Sequence, residues 1–176
     1  MKIAILAPLV TAIREPLLGG SQAFVSDLAR GLAGRGHEVD VYAASGSQIP
    51  GVTVVDTGVD PRALAETLYR AKAREPAGSA AATQAAESAF GAACAIIRRN
   101  RYDVIHNHAF DAPAIRLAAA QPVPVVHTLH LPPDKAVAAA LQQAVRSERR
   151  PAVATVSAFQ ANAWRETIAI DAILRP

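Results

Sequence analysis

The first 44 residues change hydrophobic period twice, and few folds accommodate that change. Lys2 to Ala7 is a short apolar run with β-branched members, the pattern of a strand buried on both faces of a parallel sheet. From Gly20 the spacing becomes helical: Phe24, Val25, Leu28, Ala29 and Leu32 share one side, while Ser26, Asp27, Arg30 and Arg35 point the other way. Glu38 to Ala43 then resumes the strand pattern. A strand, an amphipathic helix and a second strand in that order make a right-handed βαβ crossover. Gly34 and Gly36 stand where a left-handed residue would end the helix.

Gly19 and Gly20 carry the chemistry of this opening. Without side chains they let a ligand approach the first helical turn, where backbone N–H groups are unpaired and the helix dipole is positive. An anion suits that position, although a glycine pair also serves simply as a tight entry into a helix. Ser21 is the expected N-cap, and Pro16 keeps the preceding loop from joining the helix.

The rest of the chain repeats the alternation. Strands are expected at Val52–Val55, Tyr102–Asn107, Val123–Thr128 and Ala152–Val156. Helices are expected at Arg62–Arg74, Ala80–Asn100, Ala112–Ala120, Lys135–Arg146 and Ala158–Glu166, with Leu64, Leu68 and Ala71 inward on the first of them. Phe90, Cys94 and Ile97 share a face of the long alanine-rich helix, and Pro76, Gly78 and Ser79 break the chain before it. Such alternation implies an α/β fold with a doubly wound, mostly parallel, Rossmann-like sheet and ligands at the carboxyl ends of its strands.

Composition narrows the class further. A chain of 176 residues with 51% hydrophobic side chains builds one domain with a good core, and two full domains would not fit comfortably. The net charge of +3 is small and its arginines are scattered, so nucleic acid is not suggested. Arg98, Arg99 and Arg101, and Arg146, Arg149 and Arg150, fall at helix ends, where cations complement the dipole. The single cysteine, Cys94, together with the lack of a signal peptide or spanning segment, points to the cytoplasm. Arg62, Arg70, Lys72 and Arg74 would allow peripheral contact with the inner membrane face, against the plainer reading of a solvated helix.

Four of the five histidines fall at one sheet edge: His106 and His108 in DVIHNHAFDAP, and His127 and His130 in VVHTLHLPP. Imidazoles transfer protons near neutral pH and bond phosphates or sugar hydroxyls. Strand alternation aims His106 into sheet packing, His127 reads equally well as a core histidine, and His108, one step past its strand, is the better catalytic candidate. A zinc site drawing on Asp111 or Asp134 competes, but its ligand spacing matches no standard pattern. Cys94 lies inside a helix, and neither Ser21 nor Ser157 sits in a G-x-S-x-G turn, which argues against nucleophilic catalysis. A dinucleotide dehydrogenase is disfavoured because G-x-G-x-x-G is absent and VYAASGS lacks the acidic residue for a ribose.

In order, MKIAILAP, a loop ending GGSQ, the helix through DLARGLAGRGHEVDVYAASGS, DVIHNH, PVVHTLH and AVATVSAFQ resemble the amino-terminal half of a GT-B glycosyltransferase. The likeness is to the retaining, glycogen-synthase-like group (glycosyltransferase family 4-like), which includes bacterial mannosyl- and glucosyltransferases, and it runs from Met1 to about Trp164. The resemblance implies a single acceptor-side domain over residues 1–176, with the donor-binding second domain absent from this chain. It implies transfer of a sugar from a nucleotide-sugar co-substrate to a hydroxyl acceptor, with no cofactor, no metal and no protein nucleophile.

By the same resemblance, Gly19 and Gly20 approach the donor's distal phosphate, and His108 lies near the transferred sugar and is catalytic. Ser21, Asp111, Thr128 and His130 line the acceptor side, while Gln22 stands where many relatives carry Glu. The paired-Glu stretch of the second domain is not found, and the chain stops at IDAILRP, about where an interdomain linker would begin. A shortened chain of this kind is expected to fold without activity and to pair with a second copy through the apolar patch left uncovered. The alternatives are a stand-alone binding or regulatory module of the same fold, or a metal-dependent hydrolase built on the histidines.

Overall fold

The structure is a computed structural model that describes residues 1–66 and 80–175. In chain order its elements are β1 (Lys2–Leu6), α1 (Gly20–Gly34), β2 (Glu38–Ala43), β3 (Thr53–Asp56), α2 (Ala80–Arg99), β4 (Val104–Asn107) and α3 (Ala112–Ala119). Then follow β5 (Val125–Leu129), α4 (Lys135–Ala144), β6 (Ala152–Thr155), α5 (Ala158–Trp164) and β7 (Ala172–Ile173). Residues 61–66 are helical, and the rest of the helix expected over Arg62–Arg74, with the break after it, lies outside the described residues.

All strands pair in parallel, in the order β3-β2-β1-β4-β5-β6-β7. The winding reverses between β1 and β4, so the carboxyl ends of those two strands open a crevice at which α/β folds bind ligands.

Side-chain alternation divides the core between the two faces of the sheet. Ile3 and Ile5 of β1 pack with Val39 and Val41 of β2 against Val25 and Ala29 of α1. Their neighbours Ala4 and Leu6 point to the opposite face, where they meet Tyr42 and the buried side of α2 at Phe90, Cys94 and Ile97. A third cluster joins Leu129 and Val153 to Ile115, Val137, Leu141 and Trp164 on the helices that follow. Strands apolar on both sides can be satisfied only by helices on both sides.

The helix ends depart from the sequence reading in informative ways. Ser21 is not the N-cap of α1: Gly19 occupies that position in extended backbone, the helix starts at Gly20, and no side chain caps it. Gly36 takes φ of 84° just beyond the helix, whereas Gly34 stays within it. Asp134 caps α4, its Oδ1 accepting from the N–H groups of Ala136 at 2.9 Å and Val137 at 3.3 Å. Asp134→Ala is therefore expected to cost about 1 kcal/mol in urea denaturation, with little effect on ligand binding.

β7 was not expected at all. The two-residue strand pairs with Ala154 and Thr155 of β6. It is held by Asp171, whose carboxylate accepts from Val153 N–H at 2.8 Å and forms an ion pair with Arg150 at 3.0 Å.

Candidate functional site

The site is built at the carboxyl ends of β1, β4 and β5, beneath the start of α1. Period-two alternation puts His106 and His108 on the same side of the sheet, and Ile5, the register partner of His106, belongs to the core under α1. The backbone N–H of His108 donates to the Leu6 carbonyl at 2.9 Å, continuing the pairing of β4 with β1 by one more residue. This step carries the ring into the crevice. Asn107 faces the other way, where its Nδ2 donates to His127 Nδ1 at 3.0 Å and to the Ala109 carbonyl at 3.1 Å. His127 is thus a core histidine, separated from the other three by the sheet itself.

The remaining rings form one cluster. His108 Nδ1 and His130 Nε2 lie 3.0 Å apart, and His106 Nε2 lies 2.7 Å from the Thr128 hydroxyl. The His106 and His108 rings are 4.2 Å apart between centroids, and the half-buried Phe24 of α1 packs on His108 at 5.7 Å and His130 at 5.4 Å. His108 is fully buried, yet its Nε2, like that of His127, has no hydrogen-bond partner among the described residues.

Burial sets the charge of this group. It holds His106 and His130 at a pKa of about 4, with the neighbouring His130 adding to the effect on His106. Burial, then the adjacent His106 and His130, pushes His108 well below the usual imidazole range. Near neutral pH all three rings are therefore uncharged, each with one N–H and one bare nitrogen. Rings in this state can donate to and accept from hydroxyls and carry no charge to draw an anion.

The neighbouring helix start offers unpaired backbone N–H groups instead of imidazoles. Gln22, buried in the first turn of α1, accepts the Leu18 N–H on its Oε1 at 3.1 Å, a back-bond that reaches one residue beyond the N-cap N–H of a capping box. The complementary bond from an N-cap side chain is missing, because the N-cap is glycine. Neither Gly19 nor Gly20 has positive φ, and a Cβ on Gly20 would meet nothing within 4 Å. The backbone therefore does not require glycine at position 20. What glycine supplies there is open space over the unpaired N–H groups of the first turn.

The structure gathers most of the residues singled out in the sequence. Gly19, Gly20 and Ser21 form the start of α1, His108, Thr128 and His130 form the imidazole cluster, and Asp111 is the N-cap residue of α3 just beyond the His108 loop. Thr128 is buried, with its hydroxyl engaged by His106. Asp134 is occupied in capping α4 and Cys94 lies in the core, where burial pushes its thiol up to about 11. Among the described residues no three His, Cys, Asp or Glu side chains converge as a metal-ligating set, and no helix is long and apolar enough to cross a membrane.

Two participants escaped the sequence reading. Phe24 counted there only as an apolar helix position, but one turn into a helix that begins at the site its side chain leans back over the rings. Gln160, three residues after Ser157 at the start of α5, donates from Nε2 to the His130 carbonyl at 3.3 Å, and its buried Oε1 has no partner among the described residues. Its place just after a strand's carboxyl end was the available signal.

Comparison with solved structures places the chain among proteins of one fold. A sucrose-phosphate synthase from Thermosynechococcus elongatus matches with a TM-score of 0.56 at 17% identity, over 100% of this chain and 89% of that one. The catalytic domain of starch synthase IV from Arabidopsis thaliana, bound to ADP and acarbose, gives a TM-score of 0.61 at 13% identity, over 99% of this chain and 51% of its own. A Streptomyces glycosyltransferase complexed with thymidine diphosphate gives 0.51 at 18% identity, over 88% and 48%. The chain thus spans about half the length of the latter two. Comparison with curated protein sequences yields no match. The family model of Glycosyltransferase Family 4 matches residues 18–173, from the loop before the glycine pair to the last strand. The chain belongs to Glycosyltransferase Family 4.

Proposed function

We propose that this chain is the acceptor-binding, amino-terminal half of a retaining glycosyltransferase that moves a sugar from a nucleotide-sugar donor to a hydroxyl acceptor. The observation that carries the reading is the juxtaposition on α1. Its uncapped, unobstructed start at Gly19 and Gly20 lies one turn from Phe24, which packs on the imidazoles. One element thus presents an anion site beside a hydroxyl-reading site, as phosphate and sugar are joined in a nucleotide sugar. The nucleoside diphosphates bound by the starch synthase and the Streptomyces enzyme support the same donor class.

In this reading the N–H groups at Gly20 and Ser21 receive the distal phosphate and stabilise the charge that collects there as the glycosidic bond breaks. His108 meets the transferred sugar. Ser21, Asp111 and His130 line the acceptor side, and Thr128 supports them by holding His106. A second domain of the whole enzyme holds the nucleoside and most of the donor. The fully buried His108 becomes reachable when a side chain moves aside, and Phe24, half-buried and packed on both rings, is the one placed to do so.

The test separates stability from binding at one atom. Gly20→Ala is expected to leave stability unchanged or to raise it by up to about 1 kcal/mol, since the site is helical and the added methyl meets nothing. The same variant is expected to weaken binding of a nucleotide sugar or a sugar phosphate about tenfold, a loss of roughly 1.4 kcal/mol. NMR titration with UDP-glucose, GDP-mannose and polyol phosphates reads both the affinity and the location. Ligand shifts that spare Gly19, Gly20, His108 and His130, or a Gly20→Ala variant that binds as the wild type does, would overturn the reading.

A further inference from the structure

The two nitrogens of His108 have different surroundings, and that difference has a chemical consequence. Nδ1 faces His130 Nε2 at 3.0 Å, and Nε2 is buried with no partner among the described residues. Two neutral imidazoles in contact share a single proton between the facing nitrogens. One arrangement has His108 donate from Nδ1–H, which leaves its Nε2 bare. The other has His130 donate from Nε2–H, which leaves a buried N–H on His108 Nε2. At His127 no such choice exists: the amide of Asn107 is a donor, His127 Nδ1 must accept, and the buried Nε2 carries the N–H with no partner among the described residues.

At His108 the outer nitrogens decide. A buried N–H without an acceptor costs more than an unfilled acceptor, so it is borne where a neighbour forces it, as at His127, and avoided where the other arrangement is open, as at His108. In the first arrangement the N–H of His130 moves to its Nδ1, on a ring that is only partly buried and able to meet water. We propose that His130 is a positioning residue: it accepts the Nδ1–H of His108, so that His108 presents a bare Nε2 as acceptor to a substrate hydroxyl.

The carbonyl of His130 is held by Gln160, and the loop beyond it by Trp164 Nε1, which donates to the Leu131 carbonyl at 2.9 Å. The acceptor nitrogen is thus anchored from α5. The role assigned to the substrate hydroxyl rests on the function proposed above; the tautomer does not, because it is a property of the ligand-free chain.

The experiment is a long-range proton–nitrogen correlation spectrum of the chain labelled at its histidine nitrogens, recorded near neutral pH without ligand. Signals are assigned to His108 by their loss in His108→Asn. Wild type is expected to show His108 protonated at Nδ1 and bare at Nε2. His130→Gln, whose amide oxygen accepts, keeps that state. His130→Lys, a donor only, moves the proton to Nε2, and His130→Leu, which leaves neither nitrogen of His108 a partner, removes the preference for Nδ1. A wild-type His108 protonated at Nε2, or a tautomer unmoved by His130→Lys, overturns the inference. Ligand titrations that fail while the tautomer is as stated overturn the proposed function and leave this inference standing.

Discussion

Trp164→Ala is expected to destabilise the chain by about 3–5 kcal/mol, the cost of emptying a fully buried indole site. Trp164 is 1% exposed and packs with Ile115, Leu129, Val137, Leu141 and Val153, where β5, β6 and the helices that follow them meet. Its removal takes away the largest side-chain volume in that cluster, and the surrounding strands and helices can close only part of the cavity. The indole N–H bond to Leu131 adds less, about 1 kcal/mol, because Leu131 is half exposed and water can take over its carbonyl. Trp164→Phe separates the two terms, keeping most of the packing and losing the bond, and is expected to cost about 1–2 kcal/mol. A typical domain holds only about 5–15 kcal/mol in total, so the alanine variant gives up a large share of it. The check is urea denaturation followed by far-UV circular dichroism, since Trp164 is the sole tryptophan and its fluorescence disappears with it. A loss below about 1 kcal/mol would show that this cluster collapses without its anchor.

The same substitution reaches the site. Gln160 and Trp164 are four residues apart and lie on one face of α5, and they bond the consecutive carbonyls of His130 and Leu131. Faster amide exchange in the loop after β5 is therefore expected in Trp164→Ala, along with weaker binding at the histidine cluster.

How much of this was legible in the sequence follows from the range of the interactions involved. The strands and helices were readable because β1, β2, β4 and β5 bury both faces, which writes apolar runs into the sequence, and because Val25 and Ala29, or Phe90, Cys94 and Ile97, repeat at helical spacing. The site's location followed from the rule that parallel strands present ligands at their carboxyl ends. β7 escaped because two exposed residues carry no alternation; Arg150 and Val153, distant in sequence, hold its start through Asp171. The N-cap was misplaced because Ser21 has the side chain for it, while the backbone becomes helical two residues earlier than that assignment requires. Which histidine meets which was not readable at all. His108 pairs with His130, and His106 with Thr128, through the register of β4 against β5 and the loops beyond, and register is a property of two strands at once. Family resemblance supplied the roles proposed for Gly19, Gly20 and His108, while the open space at Gly20 and the Nε2 of His108, partnerless among the described residues, became visible only in three dimensions.

Acid is expected to unfold this chain earlier than it unfolds proteins stabilised mainly by carboxylates. Burial depresses His106 and His130 to about 4 and His127 to about 3, each with an ordinary value of 6.5, and pushes His108 well below that value. The unfolded chain therefore binds more protons than the folded one through this window, so stability rises with pH. The contribution is fully present above pH 6.5 and is lost as pH falls from there toward 4. Each histidine contributes up to about 1.4 kcal/mol per pH unit while it titrates in the unfolded chain alone, and together they amount to several kcal/mol by about pH 4.5. Lowered carboxylates act in a different range. Asp56, which accepts from Gly58 N–H and the Ser45 hydroxyl, has its pKa below 3.8, so its contribution is lost only in stronger acid. Urea denaturation from about pH 7.5 to 4.5 should therefore show a steep loss that begins near pH 6.5, and His106→Gln, which keeps a neutral partner for Thr128, should flatten it. A profile flat down to about pH 4.5 would mean that the rings protonate inside the folded chain at little cost, and the neutral hydroxyl-reading cluster would have to be abandoned.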